Sequence, residues 1–268
     1  MTDHARPLVV VVVHPDLLGT YGDGGNGVVL ARRAAWRAID AELVAAHSDE
    51  PLPAGDLYCL GGGEDAPQVR SAEALRAGRV LEQAHARGAV VFGVCAGYQL
   101  LGREFPDAAG VPQEGLGLLD VSTRKGTGRR AVGEMAATPR GDAPLLPDGS
   151  RLPRLTGFEN HGAVTSVGSG ARPLADVTSG VGNGAGDGTE GAWSGHVLGT
   201  YLHGPALARN PRLADLLLGW ALEAGGGTPH LEPLDDREED ALRRERLHAV
   251  GRARRPAVGL LRRPGRRR

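Results

Sequence analysis

The chain has only two cysteines, Cys59 and Cys95, in 268 residues. Two thiols cannot build a disulfide framework, so the composition points to a reducing cytosol. No apolar run approaches the roughly 18 residues that a membrane span needs. The longest, Leu8 to Val13, is strand-sized. The first residues show no signal-peptide pattern, so neither membrane insertion nor secretion is expected. Lysine and isoleucine are nearly absent, with Lys125 and Ile39 the sole examples; this reads as codon bias from a GC-rich genome and carries no functional information. Also missing is a phosphate loop of the form Gly-x-x-x-x-Gly-Lys-[Ser/Thr], so ATP chemistry of that kind is not expected in this chain.

What is present suits a soluble globular protein. Hydrophobic residues make up 41% and charged residues 24%, enough to bury a core. The net charge of −1 hides an asymmetry: residues 251–268 carry eight arginines and no acid, which leaves residues 1–250 at a net of −9. A basic tail on an acidic body suits contact with anionic lipid, nucleic acid or an acidic partner, and equally a solvated, flexible tail.

Along the chain, Leu8 to Val13 (LVVVVV) reads as a strand buried on both faces, hence part of a parallel sheet covered by helices. A Gly-rich loop and a helix with Val28, Val29, Ala34 and Ile39 follow. Further strands are expected at Glu42 to Ala46, Asp56 to Leu60 and Ala89 to Gly93, with a helix from Ala72 to Arg87 between the last two. This alternation predicts a doubly wound α/β fold with a mostly parallel central sheet. The second half is expected to be richer in strands, at Gly117 to Ser122, Ala131 to Ala137, Leu155 to Phe158, Ala163 to Val167 and His196 to Tyr201. A helix from Pro211 to Glu223 closes the domain. Pro139 to Pro153 and Gly168 to Gly191 read as loops. Residues 1–224 form the expected catalytic domain, and residues 225–268 a charged helix (Asp235 to Val250) with an Arg-rich tail.

The strongest chemical signal is Gly93-Val-Cys95-Ala-Gly97-Tyr-Gln99. An apolar strand turns sharply into a helix with the cysteine at the apex, and small flanking residues are what so tight a turn requires. A helix N-terminus favours the thiolate. Cys59, mid-strand among apolar neighbours, reads as inert. A cysteine nucleophile needs a base, which can be distant in sequence. His203 ends the strand His196 to Tyr201 and would lie at the sheet edge beside the elbow. His161 is the second candidate and His14 a third.

GVCAGYQ together with GTYLHG resembles the triad (class I) glutamine amidotransferases. TYGDGGN (20–26), LGGGEDAPQ (60–68), EGLGLLDVST (114–123), GFENHG (157–162) and GTYLHGPALARNP (199–211) narrow the resemblance to the GatD family, with part of the set shared by cobyric-acid-synthase-type amidotransferases. The resemblance implies that Cys95 is the nucleophile toward L-glutamine and His203 its general base and acid. Backbone N–H groups of Ala96 and of Gly62 or Gly63 are the candidate oxyanion donors. Arg130 matches a family arginine that binds glutamine, with Arg129 one residue out of register. Gln99, Asn160 and Gly162 are expected to border the same pocket. No metal and no cofactor are expected in this chain.

The resemblance further implies a cytoplasmic glutaminase subunit, at most peripheral at the inner membrane face. It would pass ammonia to a Mur-ligase-like synthetase partner that uses ATP and Mg to amidate lipid II. Nucleic acid is not an expected partner. Many relatives place a glutamate two residues after the catalytic histidine, where this chain has Pro205, and no acid lies between His203 and Arg209. The partner is therefore expected to supply the missing carboxylate. Three alternatives stay open: a glutaminase with a corrinoid or other acid as acceptor, a cysteine hydrolase of another class on the same fold, and a non-catalytic regulatory or scaffold module.

Overall fold

The computed structural model describes residues 6–253. Its first half runs β1 (Leu8–Val13), α1 (Gly25–Ala35), β2 (Ala41–Ala46), β3 (Leu57–Leu60), α2 (Asp65–Gly78), α3 (Val80–Ala86), β4 (Val90–Val94) and α4 (Ala96–Leu101). There follow β5 (Glu104–Pro106), β6 (Pro112–Glu114), β7 (Val121–Lys125), β8 (Ala131–Pro139), β9 (Leu155–His161) and β10 (Ala163–Val167). The described residues end on β11 (Ala175–Ser179), β12 (Thr189–Glu190), β13 (Ala192–Ser194), β14 (Val197–Thr200), α5 (Ala206–Arg209), α6 (Pro211–Ala224) and α7 (Arg237–Ala253).

The central sheet has the order β13-β14-β4-β3-β1-β2, with β2, β1, β3, β4 and β14 parallel and β13 added antiparallel at one edge. The valines of β1 and every residue of β3, β4 and β14 are at least largely buried, because helices cover both faces. The doubly wound arrangement expected from the sequence is the one observed. Two smaller four-stranded sheets, β10-β7-β5-β6 and β12-β11-β8-β9, take up most of the second-half strands. Among the described residues no helix is long and apolar enough to cross a membrane.

Several elements depart from the sequence expectation for local reasons. The helix read as Ala72 to Arg87 is two helices, broken where Arg79 takes a left-handed conformation (φ +50) after Gly78. It also starts earlier, at Asp65. Pro67 sits in the first turn, where its missing N–H costs nothing. The loop Gly168 to Gly191 contains β11 and β12, whose few residues are separated by turns at Gly180, Gly182, Gly184, Gly186 and Gly188, all with positive φ. The strand expected at Gly117 to Ser122 lies at β7 instead. The charged C-terminal helix is present as α7, with Glu238, Glu239 and Asp240 in its first turn; the arginines after residue 253 lie outside the described residues.

A buried ion cluster ties α1 to the C-terminal elements. Arg33 donates two hydrogen bonds to Asp215, at 3.0 and 2.9 Å, and two more to Asp236, at 2.6 and 3.0 Å. Arg37 reaches Asp215 at 3.0 Å, and Arg33, Arg37 and Asp215 all have side chains no more than 3% exposed. Removing one member of such a cluster leaves charge buried without compensation. Asp215→Ala is therefore expected to cost about 3–5 kcal/mol, read as a lower urea midpoint.

Candidate active site

The parallel strands β1, β3, β4 and β14 end at one edge of the sheet, and the chain's chemistry collects there. Cys95 follows β4 directly, with φ +52 and ψ −105, a conformation costing a non-glycine residue about 1–3 kcal/mol. The flanking glycines make it attainable. A Cβ on Gly97 would lie 2.4 Å from the Leu60 carbonyl oxygen, and one on Gly93 would lie 2.7 Å from the Gly97 carbonyl carbon. The elbow is thus packed backbone to backbone between β3 and α4. Gly97→Ala must push α4 away from β3, and is expected to destabilise the fold by about 1–3 kcal/mol and to remove Cys95 chemistry with it. Chemical unfolding and thiol reactivity check the two halves.

His203 lies just past β14, on a loop pinned from several directions. Its N–H donates to Phe158 O at 2.8 Å and its own carbonyl accepts from Phe158 N–H at 3.1 Å. Buried Glu190 braces the same loop, accepting from the Thr200 hydroxyl and from Tyr201 N–H at 2.9 Å. The imidazole Nδ1–H donates to Asp23 Oδ2 at 2.8 Å, with both side chains at most 2% exposed. That bond fixes the tautomer and leaves Nε2 as the free, buried nitrogen. Burial pulls the imidazole pKa down, but the hydrogen bond to Asp23 and the neighbouring Cys95 outweigh it and push it up to about 10.

This overturns one expectation. The carboxylate that orients His203 belongs to this same chain, not to a partner. It comes from the loop after β1, 180 positions away, where TYGDGGN places three side chains on the His203 loop. Tyr21 packs its ring on the imidazole, Asp23 holds Nδ1, and Asn26 Oδ1 accepts from Leu207 N–H at 3.0 Å.

A cavity of about 140 Å³ opens beside Cys95, lined among others by Gly63, Gln68, Ala96, Gln99, Lys125, Arg130, Asn160, His161 and Gly162. Of the oxyanion donors expected from the sequence, Gly62 is already engaged: its N–H donates to Asp23 Oδ2 at 3.0 Å. Gly63 and Ala96 line the cavity. Ala96 opens α4, where a first-turn amide has no intrahelical acceptor. Arg130 is in the wall, its Nε–H donating to Asn160 Oδ1 at 2.6 Å and its Nη2 to Asn160 O at 3.1 Å. Arg129 lines a separate cavity with Arg124. Gln99 lines the pocket with both ends of its amide engaged, accepting from Gln68 at 3.0 Å and donating to the Tyr201 hydroxyl at 3.3 Å. Its place in the site is to hold α4 against α2 and the His203 loop.

The other candidates sort by position. His161 lines the cavity, but its Nδ1–H donates to Ala163 O at 3.1 Å and its ring stacks on Tyr201 at 3.8 Å. Among the described residues no carboxylate is hydrogen-bonded to it; Glu159 stands 3.8 Å from Nε2. His14 bonds Ser71 Oγ at 2.9 Å, burial holds its pKa down, and it does not line the cavity. Burial pushes the Cys59 thiol up to about 12, as an inert strand cysteine requires. Sequence reasoning missed Asp23, Tyr21 and Gln68 as site residues. The available signal was a carboxylate in a Gly-rich loop at the C-terminal end of β1, two strands from the elbow.

Comparison with known proteins agrees with this geometry. The CobB/CobQ-like glutamine amidotransferase domain matches residues 9–211. Over 214 residues the chain is 35% identical to subunit GatD of the glutamine-hydrolysing lipid II isoglutaminyl synthase of Staphylococcus aureus strain N315, covering 79% of this chain and 83% of that protein. The corresponding subunit from Streptococcus pneumoniae strain R6 is 31% identical over 219 residues, covering 81% of each. A crystal structure of a glutamine amidotransferase from Thermotoga maritima is similar in fold, with a TM-score of 0.53 at 18% identity over 93% of this chain and 98% of that one.

Proposed function

Because the chain belongs to the CobB/CobQ-like glutamine amidotransferases and, within them, to the GatD family, we propose that Cys95, His203 and Asp23 hydrolyse glutamine for a lipid II isoglutaminyl synthase. It is the glutamine-hydrolysing subunit of such a synthase. The observation that supports the catalytic assignment is the hydrogen bond from His203 to Asp23 beside an elbow cysteine.

In this reading His203 Nε2 takes the Cys95 thiol proton, and the thiolate so formed attacks the side-chain amide carbon of glutamine. Ala96 and Gly63 N–H groups receive the developing oxyanion, and the Arg130 guanidinium holds the α-carboxylate. When the tetrahedral intermediate collapses, His203 Nε2 gives its proton to the leaving nitrogen, and the C–N bond breaks to release ammonia. The γ-glutamyl thioester remains. His203 Nε2 then takes a proton from water, which adds to the thioester carbon and releases glutamate and the thiolate. Asp23 accepts from Nδ1–H throughout and holds the ring in place.

The ammonia would pass to a Mur-ligase-like synthetase subunit, which would hold ATP and Mg and use them to prepare the glutamate α-carboxylate of the lipid II stem peptide for amidation to isoglutamine. Reconstitution of both subunits with lipid II, ATP, Mg and glutamine tests this acceptor. Amidated lipid II is the expected product. Glutamine hydrolysis that leaves lipid II unmodified, with a corrinoid acid amidated instead, would move the chain to the other branch of its family.

A further inference from the structure

The loop that supplies Asp23 carries a second residue that the hydrolytic scheme leaves idle. Tyr21 sits at φ +66, in the left-handed region that a bulky residue seldom occupies. Strain of this kind persists where the surroundings over-determine it. Here Thr20 N–H donates to Gly62 O at 3.1 Å and Gly22 N–H to Gly19 O at 3.3 Å, pinning the loop on both sides of the tyrosine. The conformation brings the Tyr21 ring against His203, with centroids 4.8 Å apart and planes tilted by 59°. It also brings the hydroxyl to Asn160, whose Nδ2–H donates to it at 2.6 Å. Asn160 Oδ1 in turn accepts from Arg130 Nε–H at 2.6 Å. Tyr21 is 43% exposed and His203 1%, so the ring is the outer cover of the imidazole.

We infer that Tyr21 is a positioning residue joining the two halves of the active site: its hydroxyl, through Asn160, aims Arg130 at the glutamine carboxylate, while its ring keeps water from His203. The inference rests on the glutamine reading of the pocket. The two roles belong to different atoms of one side chain, so they separate by substitution. Phenylalanine keeps the ring and loses the hydroxyl, whereas alanine loses both.

The test uses the full chain assembled with its synthetase subunit and reads glutamine hydrolysis. Tyr21→Phe is expected to raise KM by about 3- to 10-fold with kcat changed less than about 2-fold, the effect of one lost hydrogen bond to a substrate-holding group. Tyr21→Phe combined with Asn160→Ala is expected to match Asn160→Ala alone, because the two act in series. Tyr21→Ala is expected to lower kcat as well, by about 10-fold or more, and to move the titration of the His203 Cε1–H resonance to higher pH, because burial holds the imidazole down. An unchanged KM in Tyr21→Phe overturns the relay through Asn160, and so does additivity in the double variant. Unchanged kcat and His203 titration in Tyr21→Ala overturn the shielding role. If Tyr21→Ala does not fold, Tyr21→Phe and the double variant decide. If wild type turns over no glutamine, the glutamine reading fails. The His203 titration then decides on the shielding role alone: a shift to higher pH in Tyr21→Ala keeps it, and no shift or a shift to lower pH overturns it.

Discussion

Cys95→Ser is expected to lose glutamine hydrolysis by about 10⁴-fold or more, while the chain folds normally and still assembles with its synthetase subunit. Removing the nucleophile of a covalent mechanism eliminates the thioester route entirely, and only binding and oxyanion donors remain. The substitution is nearly isosteric, so the strained backbone at φ +52 and its packing between Gly93 and Gly97 are untouched. Serine lacks the acidity that lets an imidazole hold its partner ionised. Free ammonia supplied at high concentration is expected to restore product formation in the assembled enzyme, since the defect lies in making ammonia. Cys59→Ser serves as the control and is expected to retain full activity, because Cys59 is buried in β3 with its thiol pushed up to about 12.

Asp23→Asn is the second large effect, expected at about 10²- to 10⁴-fold in kcat from loss of tautomer control. An amide at this position can donate to Nδ1 and hold the wrong nitrogen protonated. The same substitution has a pH signature. With His203 raised above its ordinary value of 6.5 to about 10, the Asp23–His203 interaction stabilises the wild type fully below about pH 6.5, and that contribution fades as pH rises through about 10. Without Asp23 the largest opposing influence is gone and burial pulls the imidazole down. The stability gap between wild type and Asp23→Asn is therefore expected to be widest near pH 6 and to close toward pH 10. Urea unfolding at several pH values measures it. A gap that widens with pH would mean that the imidazole is not held charged by Asp23.

How far the sequence revealed this site depended on what each residue's role requires of its neighbours. Cys95 was legible because a strained elbow needs small residues at fixed spacing, and Gly93 and Gly97 supply them. His203 was legible because it closely follows a strand whose apolar run marks it as buried. Asp23 was not, because its partner is 180 positions away and the Gly-rich loop between them and the sheet has no periodicity to read. A search confined to the residues after His203 finds only Pro205 and arginine, and so looks to a partner for the acid. Gly62 was misassigned for a related reason: which way a loop amide points is decided by tertiary contacts, and this one points at Asp23. In the fold, β1 and α6 announce themselves by length and apolar pattern. Strands of two or three residues, such as β5, β12 and β13, are too short to show alternation and form only because larger neighbours offer them an edge.

The most direct test of a catalytic triad contained in one chain is covalent labelling of the isolated subunit by a glutamine analogue bearing an electrophilic diazoketone. The adduct is located by mass spectrometry, and its rate is compared between wild type and Asp23→Asn. A single adduct on Cys95, formed without any partner and markedly slower in Asp23→Asn, is the predicted result. Labelling of Cys95 only when the synthetase subunit is present, at a rate indifferent to Asp23, would contradict it and return the orienting carboxylate to the partner.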